Sequence, residues 1–533
     1  MTNHSPTLFF NDFRFLLLPK CKGSSRLNDR ILALAPVEGR SHFNVLEPLF
    51  KALAEKGHQV DVISHFPLKQ PFPNYNEIVK LPPLNLSSNH EYENFSTRKK
   101  NFKSLHIWKR KYCIDTLENP EITRIIDHPP TDPPYDLLLI QFVSGYQCLT
   151  AIGHKWNVPV VGVATTFLYP YNHRYIGNPL NLAMSSSNLR VDKEKMNFWD
   201  RLYNFIMTHY AIYEFYSEAY KQDAIMKKYL GTNTPHYSEL ERSVSLLLSN
   251  SHHSLHGVLP KVPALIQIGG IHIEDDNSTI DPKLAKIMDD SEHGFIYFSF
   301  GTITKIESLP PEALAQLFVA FRRISPIQII MKSQNPKALP KNLPDNVHTF
   351  FWLPQRKILQ HPKIRGFISH GGGLGTQESV YYGVPTICVP LFADQHINCD
   401  ITSEKGFGQK FIMFNAPQEE YHRVIDELLH NPSYKHAAKR ISKVYKDRLV
   451  SPKEEATYWI EYVIRHGKDA LRSRSLNYKW WQIELFDVYA FIMICILAAM
   501  YTAYFAACRL IMFALSFIKS FTLRYIRLSK KLR

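Results

Sequence analysis

The 533-residue sequence has no Cys-x-x-Cys pair, no glycine-rich turn followed by Gly-Lys-Ser/Thr, no short-period repeat and no low-complexity tract. The first absence excludes a zinc ribbon. The scatter of the seven cysteines (Cys21, Cys113, Cys148, Cys388, Cys399, Cys495 and Cys508) is read as excluding a disulfide scaffold. The second absence excludes a P-loop, and Thr376 stands where the third glycine of G-x-G-x-x-G belongs, which disfavours a nicotinamide cofactor. Charge of one sign is also scarcer than the totals suggest. Lys and Arg number 63 against 48 Asp and Glu, a net of +15, but seven basic residues and no acid lie in the last 25 positions, leaving +8 over the other 508. No Lys/Arg stripe interleaves with aromatics, so nucleic acid is not expected as a partner. His252, His253 and His256 sit in a Ser-bearing loop with no carboxylate at ligand spacing; they read as surface residues, and no metal is expected.

What is present is ordinary globular composition, 45% apolar and 21% charged, over a length that calls for two domains plus extras. Val488 to Cys508 is an uncharged stretch of 21 residues. At 1.5 Å per residue it spans roughly the 30 Å core of a bilayer. Trp480, Trp481 and Tyr489 stand where interfacial aromatics are expected, and the basic tail predicts a cytosolic C-terminus by positive-inside logic. Lys530 and Lys531, fourth and third from the end, are candidates for a dilysine retrieval signal. A lumenal body in the endoplasmic reticulum follows as an expectation: a single-pass type I protein. Asn85, Asn94 and Asn277 are glycosylation candidates on that reading. Residues 13–18 make only a six-residue apolar run interrupted by Arg14, short for a signal sequence.

Strand and helix patterns alternate twice along the chain. Ile31 opens an apolar strand, and a loop through Glu38–Ser41 leads to a helix over 42–56. Its apolar positions Val45, Leu46, Leu49, Phe50 and Leu53 share one face. Strands follow at 60–64, 137–141 and 158–163. Residues 170–245 read as helical, aromatic-rich walls of a lipophilic site. After a loop over 250–290 the alternation restarts, with strands at 295–300, 328–331, 347–352, 364–369 and 386–390 and helices between, including 310–324. Two sequential α/β halves predict two Rossmann-like, doubly wound domains facing across a cleft. Ser451, Pro452 and Glu454 form a capping-box pattern opening a helix that ends at Gly467. The organisation expected is a segment 1–28 with a degenerate signal, a first domain 29–275, a second domain 276–450, a capped helix and linker 451–484, a transmembrane helix 485–510 and a basic tail 511–533.

The chemistry concentrates between Trp352 and Asn398. A strand ends at His370, three glycines follow, and a helix containing Glu378 begins. Glycines let the backbone approach a ligand, and the free N–H groups of a helix start attract an anion. Beside a Trp able to stack on a base, this pattern points to a nucleotide-sugar. The stretch, nearly 50 residues long, resembles the signature of the membrane-anchored UDP-glycosyltransferases, and weaker agreement extends from Ile31 through the C-terminal anchor. That resemblance implies the GT-B fold, with an N-terminal acceptor domain and a C-terminal donor domain. It implies that Trp352 stacks on uracil and Gln355 contacts the base or ribose. His370 with Gly371, Gly372, Gly373 and Gly375 would hold the diphosphate, Glu378 the ribose, and Asp394 and Gln395 the sugar. Ser299, Gly301 and Thr302 resemble the family's second phosphate loop. Leu374 replaces the Asn common in many members, as in arthropod-type sequences.

The same resemblance makes His42 the general base for the acceptor hydroxyl. At a helix start the positive dipole end disfavours the imidazolium, which keeps the ring neutral. The family's carboxylate partner aligns with Gln141, which carries no charge. The implied activity is inverting transfer of a hexose, glucose favoured over glucuronic acid, from a UDP-sugar to a small lipophilic acceptor, as in detoxifying conjugation, with no cofactor beyond that co-substrate. Homo-oligomerisation stands as a possible further association. The alternative is a catalytically weak UDP-sugar or lipophile-binding homologue, because of Gln141.

Overall fold

The computed structural model describes residues 28–82, 112–142, 147–184, 195–274, 279–302 and 304–531. The N-terminal segment up to residue 27, Asn85, Asn94, Asn277, the side chain of Lys531 and the last two residues lie outside the described set.

The first half builds a seven-stranded sheet. Its elements are β1 (Arg30–Ala35), α1 (Arg40–Glu55), β2 (Gln59–Ser64), β3 (Tyr75–Lys80), α2 (Pro120–Asp127), β4 (Tyr135–Phe142), α3 (Gln147–Trp156), β5 (Val160–Ala164), α4 (Phe198–Ala219), α5 (Gln222–Leu230), β6 (Val244–Ser249) and β7 (Leu265–Gln267). The order is β3-β2-β1-β4-β5-β6-β7 and every pairing is parallel. The inner strands are buried on both faces, the condition under which apolar runs such as Leu137–Ile140 make a parallel sheet. Three strands lay outside the sequence expectation. β3 alternates polar residues at an edge, β7 is only three residues long, and β6 follows directly on a helical region.

The second half repeats the plan with α6 (Pro282–Asp290), β8 (Phe295–Ser299), α7 (Pro311–Arg323), β9 (Gln328–Lys332), β10 (Val347–Phe350), α8 (Gln355–Gln360), β11 (Ile364–Ser369), α9 (Gly373–Tyr382), β12 (Thr386–Cys388), α10 (Gln395–Glu404), β13 (Gly408–Lys410), α11 (Gln418–His430) and α12 (Pro432–Lys446). Its sheet runs β10-β9-β8-β11-β12-β13, again parallel. Two doubly wound sheets in sequence are the GT-B arrangement. The 250–290 stretch is less loop than expected, since it holds β7 and α6.

α13 (Pro452–His466) starts at the capping box read from the sequence, with both reciprocal Ser451–Glu454 hydrogen bonds formed. It returns to the first domain: Ala456, Ile460 and Val463 are buried in one cluster with Phe43, Leu46, Leu49 and Leu246. Glu461 meets Lys56 at 3.1 Å and His58 at 3.3 Å. Four of the seven cysteines, scattered in sequence, are paired in space: Cys113 with Cys148 and Cys388 with Cys399 form disulfides, two isolated bridges within a large α/β fold.

Residues 474–533 form a separate unit. Its main element is α14 (Phe486–Lys531), 46 residues in one helix with an apolar window long enough to cross a membrane. The helix continues through the basic residues expected to form a tail, because Lys and Arg are good helix formers.

Candidate functional site

Each sheet reverses its strand order at an inner pair, β1/β4 and β8/β11, which opens a crevice at the carboxyl ends of those strands. His42 follows β1, Ser299 ends β8 and His370 follows β11. The two crevices meet in one cavity of about 620 Å³. It brings together His42, Ser299, Gly301, Thr302, Trp352, Gln355, His370, Gly372, Gly373, Gly375, Glu378, Asp394 and Gln395. Gly371 does not line it; the residue turns the chain beneath the loop at φ +80°, against Cys388, Cys399 and the Gln395 carbonyl. Gln141 does not line it either.

The second domain supplies a wall suited to an anion. Gly372 is the N-cap of α9 and supplies no side-chain cap, and the first ladder bond runs from Thr376 N–H to Gly372 O at 3.0 Å. The N–H groups of Gly373, Leu374 and Gly375 precede that ladder and face the positive end of the helix dipole. His370 stands beside them. Burial, helped by the nearby Lys332 charge, holds its pKa down to about 4, and its Nδ1 is buried without a partner. Gly301 (φ +77°) lets the opposite loop pass under this ring, where a Cβ would lie 2.9 Å from His370 Cε1. Ser299 Oγ accepts from Gly301 N–H at 3.3 Å.

Lys332 is a site residue that sequence reasoning missed. It ends β9 and is 8% exposed; its Nζ donates to Gly301 O at 2.8 Å and lies 4.6 Å from the Trp352 ring centre. Burial lowers its pKa, and Glu307 opposes that shift in part. A lysine closing an apolar strand was the available signal. Trp352 itself is 64% exposed, an aromatic ring at the cavity rim.

Gln355 and Glu378 form one unit. Gln355 Nε2 donates to Glu378 Oε2 at 2.6 Å, and Tyr297 O–H donates to Gln355 Oε1 at 3.1 Å. His272 Nε2 stands 3.4 Å from Glu378 Oε1. Asp394 is held at the start of α10, its Oδ2 accepting from Asn398 Nδ2 at 3.1 Å; burial raises its pKa. Gln395 Oε1 accepts the N–H groups of Leu391 and Phe392 at 2.9 and 3.0 Å, leaving its amide nitrogen as a donor. Leu374 packs against the first domain's core cluster, an apolar contact between the halves.

The first domain supplies His42 on the first turn of α1, which begins at Arg40, two residues earlier than the sequence suggested. Gly39 leaves room for the ring: a Cβ there would lie 2.7 Å from His42 Cδ2. The His42 pKa is lowered to about 4 by burial. Its ring partner is different from the expected one. Nδ1 lies 2.6 Å from Thr165 Oγ1, at the carboxyl end of β5. Gln141 is 0% exposed; its Oε1 accepts from Val37 N–H at 3.3 Å and its Nε2 has no partner. Strand β4 thus uses Gln141 to hold the β1–α1 connection, while the neighbouring strand supplies the group that meets the imidazole. Among the described residues, no group of three or more His, Cys, Asp or Glu side chains is placed to hold a metal ion.

Comparison with known proteins places this geometry among relatives. The family described as UDP-glucoronosyl and UDP-glucosyl transferase matches residues 30–519. UDP-glucosyltransferase 2 of Dactylopius coccus is 32% identical over 493 residues, covering 91% of this chain and 94% of that protein. The 2-hydroxyacylsphingosine 1-beta-galactosyltransferase of Rattus norvegicus is 27% identical over 508 residues, covering 91% and 89%. Among solved structures, that of Medicago truncatula UGT71G1 complexed with UDP-glucose superposes with a TM-score of 0.57 at 16% identity, over 82% of this chain and 98% of the other. A likeness at that identity shows the shared fold.

Proposed function

The chain belongs to the UDP-glucuronosyl and UDP-glucosyl transferase family, and from that premise we propose that this UDP-glycosyltransferase moves a hexose, glucose favoured, from its UDP-sugar donor to the hydroxyl of a small lipophilic acceptor with inversion at the anomeric carbon. The observation that carries the proposal is one cavity lined both by His42 and by the start of α9.

The nucleotide binds the second domain. Trp352 stacks on the uracil and Gln355 meets the base or ribose. Glu378, anchored by Gln355, accepts from the ribose hydroxyls. The N–H groups at the start of α9, His370, and the loop of Ser299, Gly301 and Thr302 take the diphosphate. Lys332, set between Gly301 and Trp352, adds a positive charge beside the same groups. Asp394 and the Gln395 amide take the sugar hydroxyls. Helix dipole and lysine together offset the charge of departing UDP, so the step is proposed to need no metal.

On the acceptor side, Nδ1 of His42 meets Thr165 Oγ1 at 2.6 Å; in the tautomer that carries the proton on Nδ1 and donates it to Thr165, the Nε2 lone pair is left for the acceptor proton. The acceptor oxygen forms its bond to the anomeric carbon as the bond to the diphosphate oxygen breaks, and His42 ends the step as imidazolium. Thr165 orients the ring but gives that cation no compensating charge. A second reading follows from this feature. Without a carboxylate behind His42, the protein would be a catalytically weak UDP-sugar or lipophile-binding member, and UDP binding without turnover would identify it.

We extend the proposal to the cell. α14 anchors the protein once in the endoplasmic reticulum membrane, with a lumenal, glycosylated body acting in detoxifying conjugation; association into homo-oligomers is compatible with this. The nucleotide assignment is tested by UDP titration: Trp352→Ala is expected to weaken UDP binding by about 1–3 kcal/mol, the scale of base–aromatic stacking. Unchanged affinity would place the uracil elsewhere.

A further inference from the structure

Helix α4 is packed inside out over its first turns. It buries Asp200, Asn204 and Thr208 and exposes Trp199, Tyr203, Ile206, Tyr210 and Tyr213. The exposed positions recur every three or four residues, so they form one face. Trp199 is 71% and Tyr213 68% exposed. The buried polar groups are engaged in local structure. Asp200 and Asn197 complete a capping box, and Asn204 Nδ2 donates to Leu182 O at 2.8 Å. A helix facing water would carry its polar residues on the other side.

We propose that this face of α4 sits in the headgroup–acyl boundary of a lipid bilayer, an inference that rests on the reading of α14 as a membrane anchor. The face is dominated by Trp and Tyr, whose apolar bodies and polar tips match that boundary. Lys195, exposed just before the helix, suits anionic headgroups. An anchor in the same chain makes the contact intramolecular, which raises the effective lipid concentration without a new high-affinity site. A second copy of the chain fits less well: it would cover the tyrosine hydroxyls with an apolar surface, whereas the boundary leaves them hydrated.

Photolabelling of the full chain tests this. The protein is reconstituted into phosphatidylcholine/phosphatidylserine vesicles containing a diazirine-acyl phosphatidylcholine, and lipid adducts are mapped by peptide mass spectrometry. Adducts are expected on α4 and α14 but not on α7, whose exposed Val319 serves as control. The double variant Trp199→Ser with Tyr213→Ser removes two exposed rings from an unchanged core. It should lower the α4 yield at least roughly tenfold, given the transfer energy of two aromatic rings, with the α14 yield unchanged. Adducts on α14 without adducts on α4 would overturn the proposal and leave the anchor standing, as would copy-to-copy cross-links through α4. Absence of adducts from α14 would overturn the anchor reading and this inference with it.

Discussion

Gly371→Ala should cripple UDP binding more than any single change at the nucleotide's own contacts. The residue holds φ at +80°, where a side chain costs about 1–2 kcal/mol. A Cβ would also lie 2.6 Å from Cys399 Sγ, 2.8 Å from Cys388 Sγ and 2.9 Å from Gln395 O. Those neighbours are joined by a disulfide and a helix start, so they yield little, and overpacking of this kind typically adds about 1–3 kcal/mol. The combined cost of roughly 2–5 kcal/mol falls on the turn that aims His370 and the start of α9. Expected results are a lower melting temperature and loss of UDP affinity by one to two orders of magnitude or more. Wild-type affinity in a folded Gly371→Ala protein would show that the turn does not shape the site.

His42→Ala should act on the opposite term. The side chain comes from the first domain, while the nucleotide contacts come from the second, so UDP affinity should hold. The transfer rate should fall by about 10²–10⁴-fold, the usual contribution of a positioned general base. The same assignment fixes the acid limb of the pH profile. With burial holding the ring pKa to about 4, the base stays neutral above that value, and kcat/KM should fall only as the pH drops through it. A limb near 6.5 would mean a solvated imidazole, and a full rate in His42→Ala would move the base to another group.

Much of this site could be read along the chain because its parts are local. The β1–α1 unit, the His370 turn and Glu378 lie within short stretches where apolar periodicity and glycines mark the boundaries. What escaped reading is non-local or short. Thr165 reaches His42 across 123 residues because β4 and β5 are neighbours in the sheet, a pairing no periodicity encodes. Gln141, expected from the resemblance at the partner position of His42, instead gives its amide oxygen to Val37 N–H in the β1–α1 connection. The two disulfides likewise join residues 35 and 11 positions apart that the fold brings together. β13, three residues with a polar majority, falls below the length at which alternation can be seen. A neutral His42 is expected from its place at a helix start, and burial, which the sequence does not display, acts in the same direction.

Hydrogen exchange of the full-length protein with and without UDP tests the central claim most directly, that one cleft holds the nucleotide on its second-domain wall. The amides of Gly373, Leu374 and Gly375 precede the α9 ladder and should exchange fast in the free protein. With UDP bound they should be protected, together with residues 299–302 and 352–356, while α1 around His42 is unchanged. UDP binding that leaves the α9 start unprotected, or that protects α1 alone, would contradict the account.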